Sequence, residues 1–211
     1  MSGLAPFLPG FAAAYAVLLV AASSPGPAVA MLLGIGTAQG RGPALVAAAG
    51  IATGSVAINL VTFAGIGLLL QEAAWAMTAL RLVGAAYLAW LAWGSVRRAL
   101  APPAIRAVAA PARSWRRCFA MGLLMQLTNP KSIAFWLAIA AIGATRGGGP
   151  GVLALFVCGA WLISFGCHGA WALLLSAPQV RATYARFRRG IEAALGGVMG
   201  FMAFRLATER A

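Results

Sequence analysis

Two long stretches of this chain, residues 1–40 and 42–71, contain no charged side chain, and only Arg41 stands between them. Apolar runs of that length cannot lie on a wet surface, and about 20 such residues in a helix cross the roughly 30 Å hydrocarbon layer of a bilayer. Lipid offers no hydrogen bonds to the backbone, so each run is predicted to be helical. The rest of the sequence agrees. Hydrophobic residues make up 62% and charged residues 9%, against about 25% charged in soluble domains. The only acids are Glu72, Glu192 and Glu209. The fold class is therefore all-α, a polytopic membrane protein.

Six segments have the length and character of membrane spans: residues 7–36, 44–70, 73–96, 119–144, 152–176 and 191–208. The sixth is bracketed by Glu192 and Arg205, which can snorkel to the interfaces. The net charge of +13 does not point to nucleic acid, because such binders spread basic residues over a folded polar face. Here the arginines gather at 97–117 and 181–189. With Arg41 they fall in alternating connections, which the positive-inside rule places in the cytoplasm. Arg186, Arg188 and Arg189 suit anionic lipid. The N-terminus lacks the basic start and short apolar run of a signal peptide. Cys118, Cys158 and Cys167 form no ligand spacing and are expected to be small core residues.

The chain also divides into two similar halves, within one transporter domain spanning 1–211. Repeat one covers about 1–98, a basic cytoplasmic loop covers 97–117, and repeat two covers about 118–211. The first and fourth spans each contain a proline break, Ser24-Pro25-Gly26-Pro27 and Thr128-Asn129-Pro130-Lys131. The third and sixth each carry glycine early, at Gly84 and Gly196. Three spans per half make the second half inverted. Inverted repeats with interrupted helices in matching positions point to a secondary transporter with its site at the breaks.

Lys131 is the only lysine, and it follows a break in an otherwise uncharged span. A cation there costs at least ~2.5 kcal/mol on insertion scales, so it should face a cavity or a partner. It can bind a substrate carboxylate, carry a proton, or snorkel towards a headgroup about 18 Å away. Proline removes a backbone donor, and the half-helix starting near Pro27 would present free amides to an anion. The alternative is a kink that only shapes packing. Ser24, Pro25, Gly26, Pro27, Asn129, Pro130 and Lys131 are thus candidate substrate-binding residues. Asn59 either joins them or bridges helices. His168, the only histidine, either exchanges protons near physiological pH, a proton-coupling candidate alongside Lys131, or is packed between helices. The pairs Gly50–Gly54 and Gly196–Gly200 permit close helix contact, within the fold or between protomers.

Four of these motifs together resemble the LysE superfamily of amino-acid exporters, in its homoserine and threonine branch. Leu127-Thr128-Asn129-Pro130-Lys131-Ser132 resembles the family's Asn-Pro-Lys motif. Ser24-Pro25-Gly26-Pro27 is similar to its Ser-Pro-Gly-Pro motif, Gly84-Ala85-Ala86-Tyr87-Leu88 to its Gly-x-x-Tyr-Leu signature, and Gly50 with Gly54 to its glycine pair. The resemblance covers nearly the whole chain. It implies a bacterial inner-membrane exporter of amino acids or similar carboxylates, driven by proton antiport and often a homodimer, with membrane lipid as its surroundings. The chain departs from many relatives in the fifth span, where Ser164, Cys167 and His168 stand in place of an acidic residue. No cofactor or metal is expected. The rivals are an enzyme, which needs a nucleophile and base or paired carboxylates on one cavity, and a metal-ion exporter, which needs clustered oxygen ligands. A purely structural subunit would have no use for a costly buried lysine.

Overall fold

The computed structural model describes residues 3–72, 74–101 and 114–208. After a 3-10 turn, Ala5–Phe7, its elements are α1 (Leu8–Ser23), α2 (Pro27–Gln39), α3 (Arg41–Glu72), α4 (Ala74–Leu100), α5 (Trp115–Thr128), α6 (Pro130–Ala141), α7 (Pro150–Leu174) and α8 (Pro178–Thr208). All regular structure among the described residues is helical. Ala5–Ser23, Arg41–Phe63, Pro150–Leu174 and Ala182–Thr208 are long and apolar enough to cross a membrane. Pro27–Gln39 and Lys131–Ala141 are shorter apolar helices. Side chains such as Leu60, Val61, Leu162, Phe201 and Phe204 project from the surface. A soluble monomer rarely carries such a skin, which suits lipid.

The two expected breaks interrupt the first and fourth segments, and proline chemistry accounts for both. The residue before a proline is pushed out of the helical region by the pyrrolidine ring. Ser24 before Pro25, Gly26 before Pro27 and Asn129 before Pro130 are all extended. Each proline then starts or precedes a new helix, where its missing N–H is not needed. At the far end of α2, Gly40 takes φ +87, a left-handed value that glycine adopts without strain and that closes the helix.

Small residues bring the helices close. The buried face of α3 is lined by Ala44, Ala47, Ala48 and Ile51. A Cβ at Gly50 would lie 2.1 Å from the Phe119 carbonyl oxygen on α5. One at Gly122 would lie 2.0 Å from the Ala47 carbonyl oxygen on α3. The two helices therefore meet nearly backbone to backbone, as small-residue motifs allow in membranes. On the other side α4 packs along α8. There a Cβ at Gly196 would come within 3.2 Å of the Ala92 carbonyl oxygen. Both glycine pairs thus serve contacts inside this fold. The broken elements lie between, with α1 and α2 both against α7, and α6 against both α3 and α4.

Three expectations are corrected. Residues 181–189 are not a connection: α8 begins at Pro178 and runs through them. Arginine is a good helix former, and the single Gly190 costs only about 1 kcal/mol. Glu192 consequently lies within α8, and its side chain turns inward instead of snorkelling outward. It is fully buried, and its Oε1 accepts a hydrogen bond from Arg98 Nε at 3.0 Å. Cys158 is exposed, Cys167 intermediate and only Cys118 buried, because in lipid an apolar residue has no reason to turn inward. Arg106, Arg113, Glu209 and Arg210 lie outside the described residues, as do the side chains of Glu72, Trp75, Arg81 and Pro130.

Candidate functional site

The two breaks meet. Lys131 Nζ, from the first turn of α6, donates to the Ser24 carbonyl oxygen at 3.1 Å, 107 positions away in sequence. That oxygen belongs to the residue that ends α1, where unpaired carbonyls and the negative end of the helix dipole favour a cation. The ammonium also stands 5.9 Å from the centre of the Phe135 ring. Asn129 fixes the lysine's position by capping α6, its Oδ1 accepting from the Lys131 amide at 3.1 Å.

Around this contact several donors lack partners. α2 has no side-chain cap, and its first internal bond runs from the Ala30 amide to the Gly26 carbonyl. The amides of Ala28 and Val29 are therefore left without an intrahelical acceptor. The Ser24 and Ser132 hydroxyls are buried with no hydrogen-bond partner among the described residues. Unsatisfied buried donors each cost about 1–3 kcal/mol, so they mark a place where an acceptor is expected to bind.

Two cavities share the wall formed by Ser24, Gly26, Pro27, Asn129 and Lys131. The smaller, about 40 Å³, extends towards α3 and α7 and is lined there by Ser55, Ser164 and His168. It has room for a few water molecules. The larger, about 240 Å³, extends towards α4 and α8 and is lined there by Tyr87, Trp90, Arg98 and Met199. Lys131 thus stands at a partition with a polar chamber on one side and an aromatic, cationic chamber on the other.

The polar chamber is built as a chain of hydrogen bonds. Gln126 Nε2 donates to Ser55 Oγ at 2.7 Å. Ser55 Oγ lies 3.3 Å from Ser164 Oγ. His168 Nδ1 lies 2.8 Å from the Ser164 carbonyl oxygen. A carbonyl can only accept, so Nδ1 carries the proton and Nε2 is the nitrogen left for the cavity.

Of the residues singled out from sequence, Ser24, Gly26, Pro27, Asn129 and Lys131 lie on both cavities, Pro25 on the larger and His168 on the smaller. Pro130 starts α6. Asn59 lines neither cavity. It is fully buried on α3, one turn beyond Ser55, with both amide atoms unpartnered among the described residues. Ser55, Gln126, Ser132 and Arg98 were not singled out as site residues. Serine and glutamine in membrane helices are common interhelical donors, and only the three-dimensional pairing distinguishes these. A lone arginine at the end of a basic cluster gave no sign of turning inward.

Comparison with known proteins gives a consistent picture. The family model for the LysE type translocator matches residues 19–210. The chain is 28% identical over 159 residues to an uncharacterised membrane protein of Escherichia coli K12, YahN, covering 73% of this chain and 71% of that protein. It is 26% identical over 202 residues to the threonine efflux protein of Escherichia coli K12, covering 92% of this chain and 95% of that one. The threonine efflux protein of Escherichia coli O157:H7 matches to the same extent. No solved structure matches the chain.

Proposed function

The chain belongs to the LysE type translocator family, and from that membership we propose that it exports a small carboxylate, an amino acid such as threonine, through the wall shared by its two cavities. The observation that carries this reading is the Lys131 Nζ contact with the Ser24 carbonyl oxygen. It joins both helix breaks at a point where free amides, free hydroxyls and one ammonium converge. A carboxylate entering there would accept from Lys131, from the Ala28 and Val29 amides and from the hydroxyls of Ser24 and Ser132. The positive end of the α2 dipole would add to the attraction.

In this reading α1 with α2, and α5 with α6, are interrupted spans, and α3, α4, α7 and α8 are continuous ones, six in all. The halves are inverted repeats. Packing supports this: α3 lies on α5 as α7 lies on α1, and α3 on α6 as α7 on α2. Ser55 and Ser164 face each other 109 positions apart, close to the spacing between Pro25 and Pro130 and between Gly84 and Gly196. Residues near a pseudo-twofold axis meet their own mates in this way. Substrate would reach the larger cavity from the basic, cytoplasmic end and leave from the other as the halves rock about the breaks. Proton entry would use Lys131 or His168, which lines the smaller cavity.

Neither alternative finds its parts among the described residues. Among the described residues no group of three or more His, Cys, Asp or Glu side chains is placed to hold a metal ion. Hydrolytic chemistry would need a nucleophile beside a base, and the hydroxyls near His168 are tied into the helix-bridging chain. The experiment is metabolite profiling of medium from cells making the wild-type protein or Lys131→Gln. Export of one or more amino acids only by the wild type is the result expected. Equal export by both would remove the basis of this reading.

A further inference from the structure

The following rests on the transport reading above. We propose that Arg98 is a second carboxylate-binding residue, placed in the larger cavity, and that Glu192 and Ser95 act as positioning residues holding its guanidinium towards that cavity.

The larger cavity is lined by two cations, Lys131 and Arg98, and among the described residues by no acidic side chain. Arg98 is one-third exposed, at 33%, whereas Glu192 behind it is 0% exposed, and Ser95 is fully buried. Its Nε donates to Glu192 Oε1 at 3.0 Å and its Nη2 to Ser95 Oγ at 2.8 Å. Nη1 has no partner among the described residues. A carboxylate that engaged the guanidinium fully would take it with both oxygens in a fork. Here Glu192 uses one oxygen, and Oε2 is buried with no partner among the described residues. The arrangement orients the fork from behind and leaves an edge for another anion.

Stability gives no better account of the pair. A buried ion pair is often no more stable than well-packed apolar residues in its place, and α4 and α8 already have Gly196 to bring them together. Gly196 follows Glu192 by one turn, and its lack of a side chain allows the approach that sets Glu192 against Arg98. On the cavity wall the Tyr87 hydroxyl is a further buried donor without a partner among the described residues, while Trp90, Leu91 and Met199 supply an apolar side. The ligand class is a small carboxylate with an uncharged side chain. Arg98 would hold it at the end of α4 that carries the basic cluster, before transfer to Lys131.

The test uses the full-length protein in proteoliposomes with L-threonine as the probe. Removing Arg98 alone would strand Glu192, so the informative variant is the double Arg98→Leu with Glu192→Leu. Loss of a charge-assisted contact is expected to raise the KM about tenfold or more with the maximal rate nearly unchanged. Glu192→Gln is expected to raise the KM part of the way, and Glu192→Asp to restore it. An unchanged KM in the folded double variant, or a lower maximal rate at unchanged KM, overturns the proposal. A second measurement needs no variant. Phenylglyoxal modification of Arg98 in the wild type, read by mass spectrometry, should be slowed by L-threonine and not by L-threoninamide, which lacks the carboxylate. Equal modification with and without threonine overturns the proposal. Failure of wild-type protein to move any amino acid would instead sink the transport reading itself.

Discussion

Replacing Lys131 with methionine removes the ammonium while keeping a flexible side chain of similar length. The ammonium donates to the Ser24 carbonyl oxygen at 3.1 Å, and in the transport reading it also donates to the substrate. A hydrogen bond to a charged group contributes about 1.5–3 kcal/mol. At about 1.4 kcal/mol per tenfold, Lys131→Met should weaken threonine binding about 10- to 100-fold. The effect on folding should be small, because two terms oppose. Losing the donor strands the Ser24 carbonyl at about 1–3 kcal/mol, while removing a cation from the membrane interior relieves at least ~2.5 kcal/mol. The assay is counterflow of labelled threonine into proteoliposomes, with monodispersity in detergent as the folding control. A folded Lys131→Met protein with wild-type affinity would refute the reasoning.

Asn129→Ala should destabilise the protein by about 1 kcal/mol through loss of the α6 cap, whereas Asn129→Asp should keep the cap and still lower transport by setting an anion beside Lys131. Thermal unfolding and uptake, measured on both variants, separate these effects. Gly122→Val should destabilise by more than about 3 kcal/mol, because its Cβ would sit 2.0 Å from the Ala47 carbonyl oxygen. Gly166→Ala, with nothing within 4 Å of the added carbon, should lie within about 1 kcal/mol of wild type. His168→Asn should retain threonine exchange at equal pH but lose uptake driven by a pH gradient. A variant that loses both together would remove His168 from the coupling role.

The breaks were legible because proline and glycine act locally: three residues that precede prolines in these motifs are extended, as their neighbours dictate. Lys131 was legible because a lone lysine in an apolar span must have a partner. The partner was not, since nothing in a sequence says that residue 131 reaches the carbonyl of residue 24. The same limit hid the Arg98–Glu192 pair, whose members are 94 positions apart. Where charge is taken to mean a connection, the helical stretch at 181–189 reads as a loop, and Glu192 reads as a side chain that reaches outward when it is in fact buried against Arg98. The glycine pairs announced close helix contact, but whether that contact lay inside the fold or between protomers depended on the surfaces that α5 and α4 bring to them. Asn59 looked like a site residue for its polarity alone, and polarity in a membrane helix does not report direction.

Lys131 is the only lysine in the chain, so a lysine labelled with ¹⁵N at Nζ is a unique reporter of the site. Solid-state NMR can measure its dipolar coupling to threonine labelled with ¹³C in the carboxylate, in protein reconstituted into bilayers. The account predicts a coupling that corresponds to about 4 Å or less, as a charge-assisted N–O contact of ~2.8 Å requires. Saturating threonine that gives no such coupling would contradict the claim that the two helix breaks form the carboxylate site.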